Sequence, residues 1–555
     1  MIFEPESLYF IPLGGAEQFG VNLNVYGYQG QWLAVDCGLG FADERFPGVD
    51  ILLPDPDFIS TRRKNLSGLI ITHAHEDHIG AVAHLWPRLK CPIYCSAFTA
   101  EVLKEKLNEN PECRTADIRV VSPGETISLS PFQVQFIPVS HSIPHTCALF
   151  IQTALGNIFH SGDWNLDPKP VLGEITDPAT FQDIGKKGVI AYIGDSTNAE
   201  VAGVSGSEQD VAEGLTQVFK ECEGRIAITM FASNVGRIRS IVKAAKSSGR
   251  KVAVVGRSLH RMLSCADECG LLDDMNHFVS EDELPRIPRD KQVLIVTGSQ
   301  GEARAQLSRI SRGEHPSIKL SPKDTVIFSS RPIPGNEKEI MAVKNNLAAS
   351  QVRTISPRDT AHCIHISGHP ARDEIAQMLS WLKPACVIPV HGERTMLEAH
   401  AELAQSCQVP HTIIPNNGSV IKMAPGTPQI VDHISTGLLA VEPGRIIPAD
   451  HQAIVQRRKL QYSGAVHVTL VLDKKGKIAS DPQVTTVGLV DPEADDGIDF
   501  ESDILDEAEF ILDDMNAKDL AQNDKLSEEV RVGIRRFVES ALKIKPKVSV
   551  HVVRV

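Results

Sequence analysis

The chain has 555 residues, enough for three or four domains at roughly 150 residues each. Hydrophobic residues make up 42% of it and charged residues 23%, values typical of soluble globular proteins, so dominant disorder is excluded. No stretch approaches the ~20 uninterrupted apolar residues of a membrane span. The net charge of -14 would by itself argue against a nucleic-acid partner.

The charge is unevenly distributed along the chain. The stretch 491–514 holds twelve acidic residues and no Lys or Arg, so the remainder is nearly neutral. The segment Arg225–Arg261 holds nine basic residues and no acidic one. Because a polyanion responds to the local electrostatic field more than to the total charge, this distribution is compatible with a nucleic-acid partner. The simpler alternative is two solvated faces of opposite sign.

The first residues and the cysteines indicate the compartment. Glu4 and Glu6 stand where a signal peptide would carry positive charge, so secretion is not expected. The 11 cysteines form no C-x-x-C pair and lie among apolar residues. They are predicted to be reduced, buried thiols of a cytoplasmic protein.

The predicted elements begin with a β-rich block over about the first 60 residues, where short apolar runs alternate with Gly-rich turns. A strand–loop–helix unit follows from Ser67, and a second β-rich block runs to the FHSGD segment. From about 205 to 355, helices alternate with apolar strands, which predicts a parallel α/β layer. The segments HCIHISGH and CVIPVHGE predict short strands followed by His-bearing loops.

The last part of the chain is predicted to form a connector and a separate small domain. Residues 425–460 carry several Pro and Gly without clear periodicity and are predicted to form a connector. Beyond them, two strands, two amphipathic helices (about 500–520 and 527–543) and a final strand predict a small α+β domain.

The clearest chemical signal is the H-x-H-x-D-H cluster of residues 73–78, between an apolar strand and a predicted helix near Ile79. A lone histidine is usually structural, but four donor side chains within six residues can converge on metal. Alternation along an extended loop places His73 and His75 on one side, which leaves Asp77 and His78 to face a second ion. Imidazole and carboxylate suit zinc, with manganese as an alternative.

Further donors follow apolar strands elsewhere. His141, in SHSIPH, and Asp163, in SGDWN, could complete a dinuclear site, with Asp163 as a bridging carboxylate. Asp36, in AVDCGLG, fits a carboxylate that orients a ligand histidine. Taken singly, Asp163 is a weak prediction, because S-G-D is also common turn chemistry.

This series of motifs resembles the metallo-β-lactamase superfamily. Asp195 in GDSTNAE, His369 in HISGH and His391 in PVHGE are similar to the three additional motifs of its β-CASP branch. The surrounding segments HEDHIGA, SHSIPH, FASN, TGSQGE and SSRPIPGNE resemble bacterial ribonuclease J over essentially the whole chain.

The resemblance implies an α/β fold class: a metallo-β-lactamase αββα sandwich, an inserted β-CASP α/β domain and a small C-terminal α+β domain. It places the first part of the metallo-β-lactamase domain at 1–204, the β-CASP domain at 205–355 and the second metallo-β-lactamase part at 356–430. A linker at 431–460 and the C-terminal domain at 461–555 follow.

The resemblance also implies roles for individual side chains. One metal would be held by His73, His75, His141 and Asp163, and the other by Asp77, His78, Asp163 and His391. Asp77 would orient or deprotonate the attacking water. His369 would contact the phosphate and either stabilise developing charge or protonate the leaving oxygen, and Asp195 would hold or tune that neighbourhood. The alternative for Asp195 is a turn or helix N-cap residue. Substrate binding is implied for Ser233, Asn234, His365, Ile366, Ser367, Gly368 and His369. The alternative for Ser233 and Asn234 is an ordinary helix cap.

The implied function is a cytoplasmic ribonuclease that uses two Zn²⁺ per subunit, with Mn²⁺ or Mg²⁺ as alternatives in activity. It would act on single-stranded RNA as a 5′→3′ exonuclease preferring 5′-monophosphate ends, and as an endonuclease, in RNA maturation and decay. A homodimer or homotetramer and RNA-decay partner proteins are implied, with no membrane association. Two alternatives stay open: a small-ester or DNA-processing hydrolase of the same fold, and a non-enzymatic subunit. The non-enzymatic subunit would need a lost ligand, and no ligand is missing.

Overall fold

A computed structural model describes residues 3–272, 277–333, 335–491 and 495–555, without the side chains of 495–499. The chain forms two compact units, one of residues 1–41 and 52–437 and the other of residues 42–51 and 438–555. Within the described ranges, no helix is both long and apolar enough to cross a membrane.

The strands, in chain order, are β1 (Leu8–Gly14), β2 (Leu23–Tyr28), β3 (Gln31–Val35), β4 (Gly40–Phe41), β5 (Ile51–Pro54), β6 (Leu66–Ile70), β7 (Ile93–Cys95), β8 (Ile118–Val120), β9 (Thr126–Leu129), β10 (Phe132–Pro138), β11 (Cys147–Thr153), β12 (Gly156–His160), β13 (Ala191–Asp195), β14 (Ile226–Thr229), β15 (Lys251–Val255), β16 (Phe278–Val279), β17 (Gln292–Val296), β18 (Thr325–Phe328), β19 (Arg353–Ile355), β20 (Cys386–Val390), β21 (His411–Thr412), β22 (Ser419–Ala424), β23 (Gln429–His433), β24 (Leu438–Glu442), β25 (Arg445–Pro448), β26 (Ala465–Leu472), β27 (Ile478–Val487) and β28 (Lys547–Arg554).

The α-helices, in chain order, are α1 (Asp57–Ser60), α2 (Glu76–Ile79), α3 (Val82–Leu89), α4 (Ala97–Asn108), α5 (Pro178–Lys186), α6 (Glu208–Lys220), α7 (Val235–Ser247), α8 (Arg257–Glu268), α9 (Gln306–Ser311), α10 (Glu337–Ala349), α11 (Arg372–Leu382), α12 (Arg394–Ser406), α13 (Gln452–Ser463), α14 (Asp495–Asp514), α15 (Ala517–Leu520) and α16 (Asn523–Leu542).

Two sheets enclose the main core of the first unit. One has the order β23-β22-β1-β2-β3-β6-β7-β8, and the other has the order β21-β20-β13-β12-β11-β10-β9. Buried aromatic and branched side chains of both sheets, among them Phe10, Tyr26, Phe136 and Ile151, form one hydrophobic cluster between them. A second cluster joins the outer face of the β9–β13 sheet to α5, α11 and α12. This part is therefore a layered sandwich with helices outside two sheets.

A third sheet lies in the chain segment between β13 and β20. Its order is β16-β15-β17-β14-β18-β19, and each described strand pair in it is parallel. Buried side chains of α6 and α7 cover one face, while those of α9 and α10 cover the other. The helix–strand alternation predicted for residues 205–355 is confirmed.

In the second unit, the sheet β27-β26-β28 packs against α14 and α16. The stretch 431–460, predicted as a linker, includes the division between the two units at 437–438, and it contains most of β23, the hairpin of β24 and β25, and most of α13. The hairpin turns at Pro443–Gly444, so the Pro and Gly that suggested a connector serve a tight turn.

Two sequence predictions need correction. The segment HCIHISGH contains no strand and is an irregular loop. Its carbonyl oxygens accept hydrogen bonds from side chains instead of a neighbouring strand: Ile364 from Ser329, Ser367 from Asn165, and Gly368 from His141. Eight of the free cysteines are buried as predicted, whereas Cys269, Cys363 and Cys407 are partly exposed.

Candidate metal centre

Three neighbouring parallel strands bring the distant donors together. β13 lies between β12 and β20, with His160 opposite Ile193 and Asp195 opposite Val390. Polar loops follow the carboxyl ends of all three strands, and parallel strands present these ends at one edge of the sheet. Asp163, Asp195 and His391 therefore meet there although more than 200 residues separate the first from the last.

The predicted donors form two clusters that share Asp163. Within each cluster the donor atoms lie within 4.8 Å of one another. The first consists of His73, His75, His141 and Asp163, and the second of Asp77, His78, Asp163 and His391. A third grouping of Asp163, Asp195, His369 and His391 overlaps the second.

The first cluster is built around His75. Its Nδ1 lies 3.1 Å from His73 Nε2 and 3.0 Å from His141 Nε2. Asp163 Oδ2 lies 3.6 Å from His73 Nε2 and 3.8 Å from His141 Nε2. Burial lowers the pKa of His75 to about 3 and that of His141 to about 4, so both rings stay neutral with free lone pairs.

The second cluster brings carboxylates against imidazoles. His391 Nε2 lies 3.0 Å from Asp77 Oδ2, and His78 Nε2 lies 3.2 Å from Asp163 Oδ2. Asp77 and His78 belong to the short helix α2 and not to the extended loop before it. Burial opposes ionisation of Asp77, but His78 and His391 outweigh it and hold the pKa of that carboxyl well below its usual range.

Hydrogen bonds behind the clusters fix which ring nitrogen faces inward. His78 Nδ1 lies 2.8 Å from Asp36 Oδ2, and His141 Nδ1 lies 2.7 Å from the Gly368 carbonyl oxygen. Because both partners are acceptors, each Nδ1 carries a hydrogen, which leaves each Nε2 to face the centre. Asp36 thus occupies the orienting position that its sequence context suggested.

His391 is held by its backbone as well as by its ring. It has a φ of 56°, in the left-handed region that non-glycine residues seldom adopt. Its backbone N–H donates to the Gly15 carbonyl, and its own carbonyl accepts the N–H of Ser196. Strain of this kind persists where the surroundings fix the residue, as they commonly do at functional sites.

The donor set fits divalent metal ions. Asp163 Oδ1 is buried and has no hydrogen-bond partner within the described part of the chain, although buried polar atoms normally have one. Three imidazole nitrogens converge at about hydrogen-bonding distance, and carboxylate oxygens face the other two imidazoles. Cations between these atoms would satisfy all of them, and nitrogen and oxygen donors in such sets suit zinc or manganese.

Asp195 fills both roles that its sequence left open. Its Oδ1 accepts the backbone N–H of Thr197 at 2.9 Å, which is turn chemistry, and its Oδ2 lies 2.8 Å from His369 Nδ1. Burial lowers the pKa of His369, but the carboxylates of Asp195 and Asp163 outweigh it and raise the pKa. The ring of His369 also lies close to the carboxylate that the two clusters share, with Nδ1 at 3.8 Å from Asp163 Oδ2.

The residues expected to bind substrate divide into two groups. Ser367 and Gly368 line a small cavity together with His141, Ser142 and Asn234. Ser233, His365 and Ile366 have other contacts: Ser233 Oγ lies 3.1 Å from His75 Nε2, the nitrogen that faces away from the centre. His365 Nδ1 lies 3.4 Å from the Arg237 guanidinium, and Ile366 is buried in the β14–β19 core.

Asn234 is a helix cap as well as a cavity residue. Its side-chain oxygen accepts the N–H of Arg237 at the start of α7, and its amide donates to Glu208. The capping alternative for this residue is therefore present in the structure.

The basic segment is less available than its charge suggests. Arg225, Arg237 and Arg250 are buried, with Arg237 only 1% exposed. Arg237 forms a bidentate pair with Glu208, and Arg250 donates to carbonyl oxygens of its own domain. Only part of the nine charges can therefore contribute to a field outside the protein.

Two side chains of the site were not found from the sequence. Thr197 Oγ1 contacts both Asp195 and His391, and Asn198 Nδ2 contacts the HISGH loop. Both follow Asp195 in GDSTNAE, where Thr and Asn look like ordinary turn residues.

Comparison with known proteins follows the same division of the chain. Family models match at residues 31–182 (beta-lactamase superfamily domain), 223–347 (ribonuclease J, beta-CASP domain), 356–414 (Zn-dependent metallo-hydrolase RNA specificity domain) and 452–555 (ribonuclease J C-terminal domain). These matches confirm the predicted fold class.

Curated relatives match over nearly the full length. Ribonuclease J of Sinorhizobium meliloti is 42% identical over 560 aligned residues, covering 100% of this chain and 98% of the relative. Ribonuclease J of Synechocystis is 36% identical, covering 88% of this chain and 76% of the relative. A solved structure of a protein of unknown function from Enterococcus faecalis aligns with a TM-score of 0.55 at 16% identity, over 75% of this chain and 99% of that one, and shares the fold alone.

Proposed function

The chain belongs to the ribonuclease J family and is therefore a metal-dependent ribonuclease, and from that premise we propose the finer activity. The enzyme hydrolyses single-stranded RNA with two Zn²⁺ per subunit. It degrades the strand from the 5′ end, with a preference for a 5′ monophosphate, and also cuts internally. Its place is cytoplasmic RNA maturation and decay, as a homodimer or homotetramer that works with other RNA-decay proteins.

The shared carboxylate of Asp163 is the observation that carries the two-metal proposal. Its Oδ2 faces His73 and His78, which belong to different clusters, and its Oδ1 accepts no hydrogen bond from any described residue. Bound divalent ions would polarise the scissile phosphate and lower the pKa of an attacking water. Metal analysis of the purified enzyme should find two equivalents of zinc.

The chain's own residues supply the proton transfers. The Asp77 side chain is 32% exposed, so this carboxylate, which stays ionised, can accept a hydrogen bond from an attacking water and orient it. His369 donates Nδ1–H to Asp195, so its other ring nitrogen is left to protonate the departing ribose oxygen. The change His391→Ala should lower the zinc content and abolish cleavage while the chain stays folded. Two full zinc equivalents in that variant would contradict the role of His391.

The small cavity beside His141 supports end recognition. Its volume is about 40 Å³, and Ser140, Ser142 and Ser367 contribute to its lining. Ser140 Oγ is buried and unpaired within the described residues, so an oxygen-rich ligand would satisfy it. Two carboxylates line the cavity, and contacts with other groups reduce their repulsion of a bound anion. Glu208 is paired with Arg237, and Asp167 accepts two backbone N–H groups.

A monophosphate fits such a cavity better than a triphosphate, because two additional charged phosphoryl groups would have to be desolvated. The test uses one RNA body with a 5′ monophosphate, a 5′ triphosphate or a 5′ hydroxyl, with and without chelator. Exonuclease degradation should be fast for the monophosphate and poor for the triphosphate, and internal cleavage should depend little on the end. Equal exonuclease rates on all three ends would contradict end selection by this cavity.

Two variants separate the cavity from the metals. Ser367→Leu fills the cavity without removing a ligand, so it should reduce exonuclease activity while the zinc content stays at the wild-type level. Ser380→Leu, on the exposed face of α11, is the matched control and should change neither. A DNA strand of the same sequence tests the DNA-processing alternative.

A further inference from the structure

Ser367 is held by a side chain from outside its own loop. Asn198 Nδ2 lies 2.8 Å from Ser367 Oγ and 3.0 Å from the backbone carbonyl oxygen of His369. The backbone N–H of His369 also donates to Ser367 Oγ, at 3.2 Å. The side chain of Asn198 therefore contacts both the cavity residue Ser367 and the residue that carries the proton-donating ring.

These contacts determine which group donates and which group accepts in each hydrogen bond around Ser367 Oγ. The His369 carbonyl can only accept, so the Asn198 atom that faces it must be the amide NH₂. That group has two hydrogens, one for the carbonyl and one for Ser367 Oγ. The His369 backbone N–H can only donate. Ser367 Oγ therefore accepts two hydrogen bonds, which occupy both of its lone pairs.

A hydroxyl with both lone pairs occupied can act only as a donor. Its single hydrogen is then available to an acceptor in the cavity that Ser367 lines. We propose that Asn198 is a positioning residue that makes Ser367 a fixed hydrogen-bond donor to a phosphate oxygen at the 5′ end of the RNA. This inference rests on the proposed recognition of the 5′ phosphate.

The turn that carries Asn198 is itself firmly held. Asp195 and Ser196 are buried, and the Ser196 N–H donates to the His391 carbonyl. Asp195 accepts the Thr197 N–H, which closes the turn. Residues 195–198 thus contact two separate loops: Asp195 and Asn198 contact His369 and Ser367 of the HISGH loop, and Thr197 contacts His391.

The sharpest test is Asn198→Asp, which keeps the shape and reverses the polarity. A carboxylate there would accept the Ser367 hydrogen and place a negative charge beside the phosphate. KM for 5′-monophosphate RNA should rise about 10- to 100-fold, the range expected for loss of a hydrogen bond to a charged group, while kcat at saturation changes little. KM for the same RNA with a 5′ hydroxyl should stay within about twofold, because that end lacks the acceptor.

Three further variants complete the design. Asn198→Ala removes the donor without adding charge and should produce a smaller rise in KM. The double variant Asn198→Ala with Ser367→Ala should be no worse than Ser367→Ala alone, because the amide acts through that hydroxyl. Asn345→Asp, exposed on α10, adds the same charge elsewhere and should leave KM and kcat unchanged. Direct binding of a 5′-phosphorylated 2′-O-methyl oligoribonucleotide, measured by calorimetry, should weaken in parallel with KM.

Three outcomes would overturn the inference in distinguishable ways. If Ser367→Ala leaves KM for the monophosphate end unchanged, the proposed phosphate recognition fails and the inference fails with it. If Ser367→Ala raises KM but both Asn198 variants do not, recognition stands and the positioning role alone is wrong. A fall in kcat that persists in the Ser367→Ala background would show that Asn198 acts through the His369 backbone instead.

Discussion

Thr197 Oγ1 lies 2.9 Å from Nδ1 of His391 and 2.7 Å from Oδ1 of Asp195. The hydroxyl has one hydrogen, which it donates to the carboxylate, so it accepts the N–H of the imidazole. His391 is thereby fixed with its hydrogen on Nδ1, and Nε2 is left to face Asp77 and Asp163. One hydroxyl group thus sets the tautomer of a proposed metal ligand.

The change Thr197→Val should weaken metal binding by about 10- to 100-fold, the usual effect of removing a partner behind a ligand histidine. Thr197→Ser keeps the hydroxyl and should retain nearly wild-type affinity. Titration of the metal-depleted protein with zinc measures both. Equal affinities for the Val and Ser variants would show that the hydroxyl does not orient His391.

Gly368→Ala should disturb His141 directly. A methyl group at this position would lie 2.8 Å from His141 Cε1 and 2.9 Å from its Nδ1, closer than such contacts normally occur. We expect reduced zinc content and strongly reduced cleavage in a folded protein. Gly437→Ala, where a methyl group meets nothing within 4 Å, is the matched control and should behave as wild type.

The acidic residues of α14 should not contribute to RNA binding. The helix buries Phe500, Ile504, Ala508 and Leu512 on one side, at four-residue spacing, and its carboxylates lie on other sides. Neutralising half of the acidic run should leave the slope of log K against log salt nearly unchanged. The positions for this change are Asp503, Asp506, Glu507, Glu509, Asp513 and Asp514. A marked rise in RNA affinity would place the run near the substrate.

His400 should make folding sensitive to mild acid. Burial lowers the pKa of His400 to about 4, against about 6.5 in an unfolded chain. Between these values the unfolded chain binds a proton that the folded chain does not, so stability is full above pH 6.5 and falls as the pH drops toward 4. The loss is at most about 3 kcal/mol. Urea unfolding across this range should show a shallower pH dependence for His400→Asn than for wild type, whereas exposed His433→Asn should match wild type.

The sequence was sufficient for the residues whose chemistry is local. His73, His75, Asp77 and His78 form one short motif, so their grouping follows from spacing and from the strand before them. The loop around Ser367 was harder, because apolar residues such as Ile364 and Ile366 resemble a strand. The carbonyl oxygens of Ile364 and Ser367 accept hydrogen bonds from the side chains of Ser329 and Asn165, which local sequence does not reveal.

Other features depend on topology. Thr197 and Asn198 contact residues of other loops because β13 lies between β12 and β20. That strand order cannot be predicted from the sequence of the turn. Arg237 looks like a surface charge on a basic helix. Its burial follows from packing of α7 on most of its sides and from Glu208, which begins a different helix.

Because β13 lies between β12 and β20, its two neighbouring strands are synthesised at different times. β12 and β13 are made first. β20 begins at Cys386, 191 residues after β13 ends at Asp195 and after the whole β14–β19 sheet, and until then one edge of β13 lacks its partner strand. A nascent chain on the ribosome that has not reached His391 thus carries most of the proposed donors but neither the last of them nor the strand that presents it. On the proposed metal site, nuclease activity would therefore begin only once this stretch of the chain had emerged.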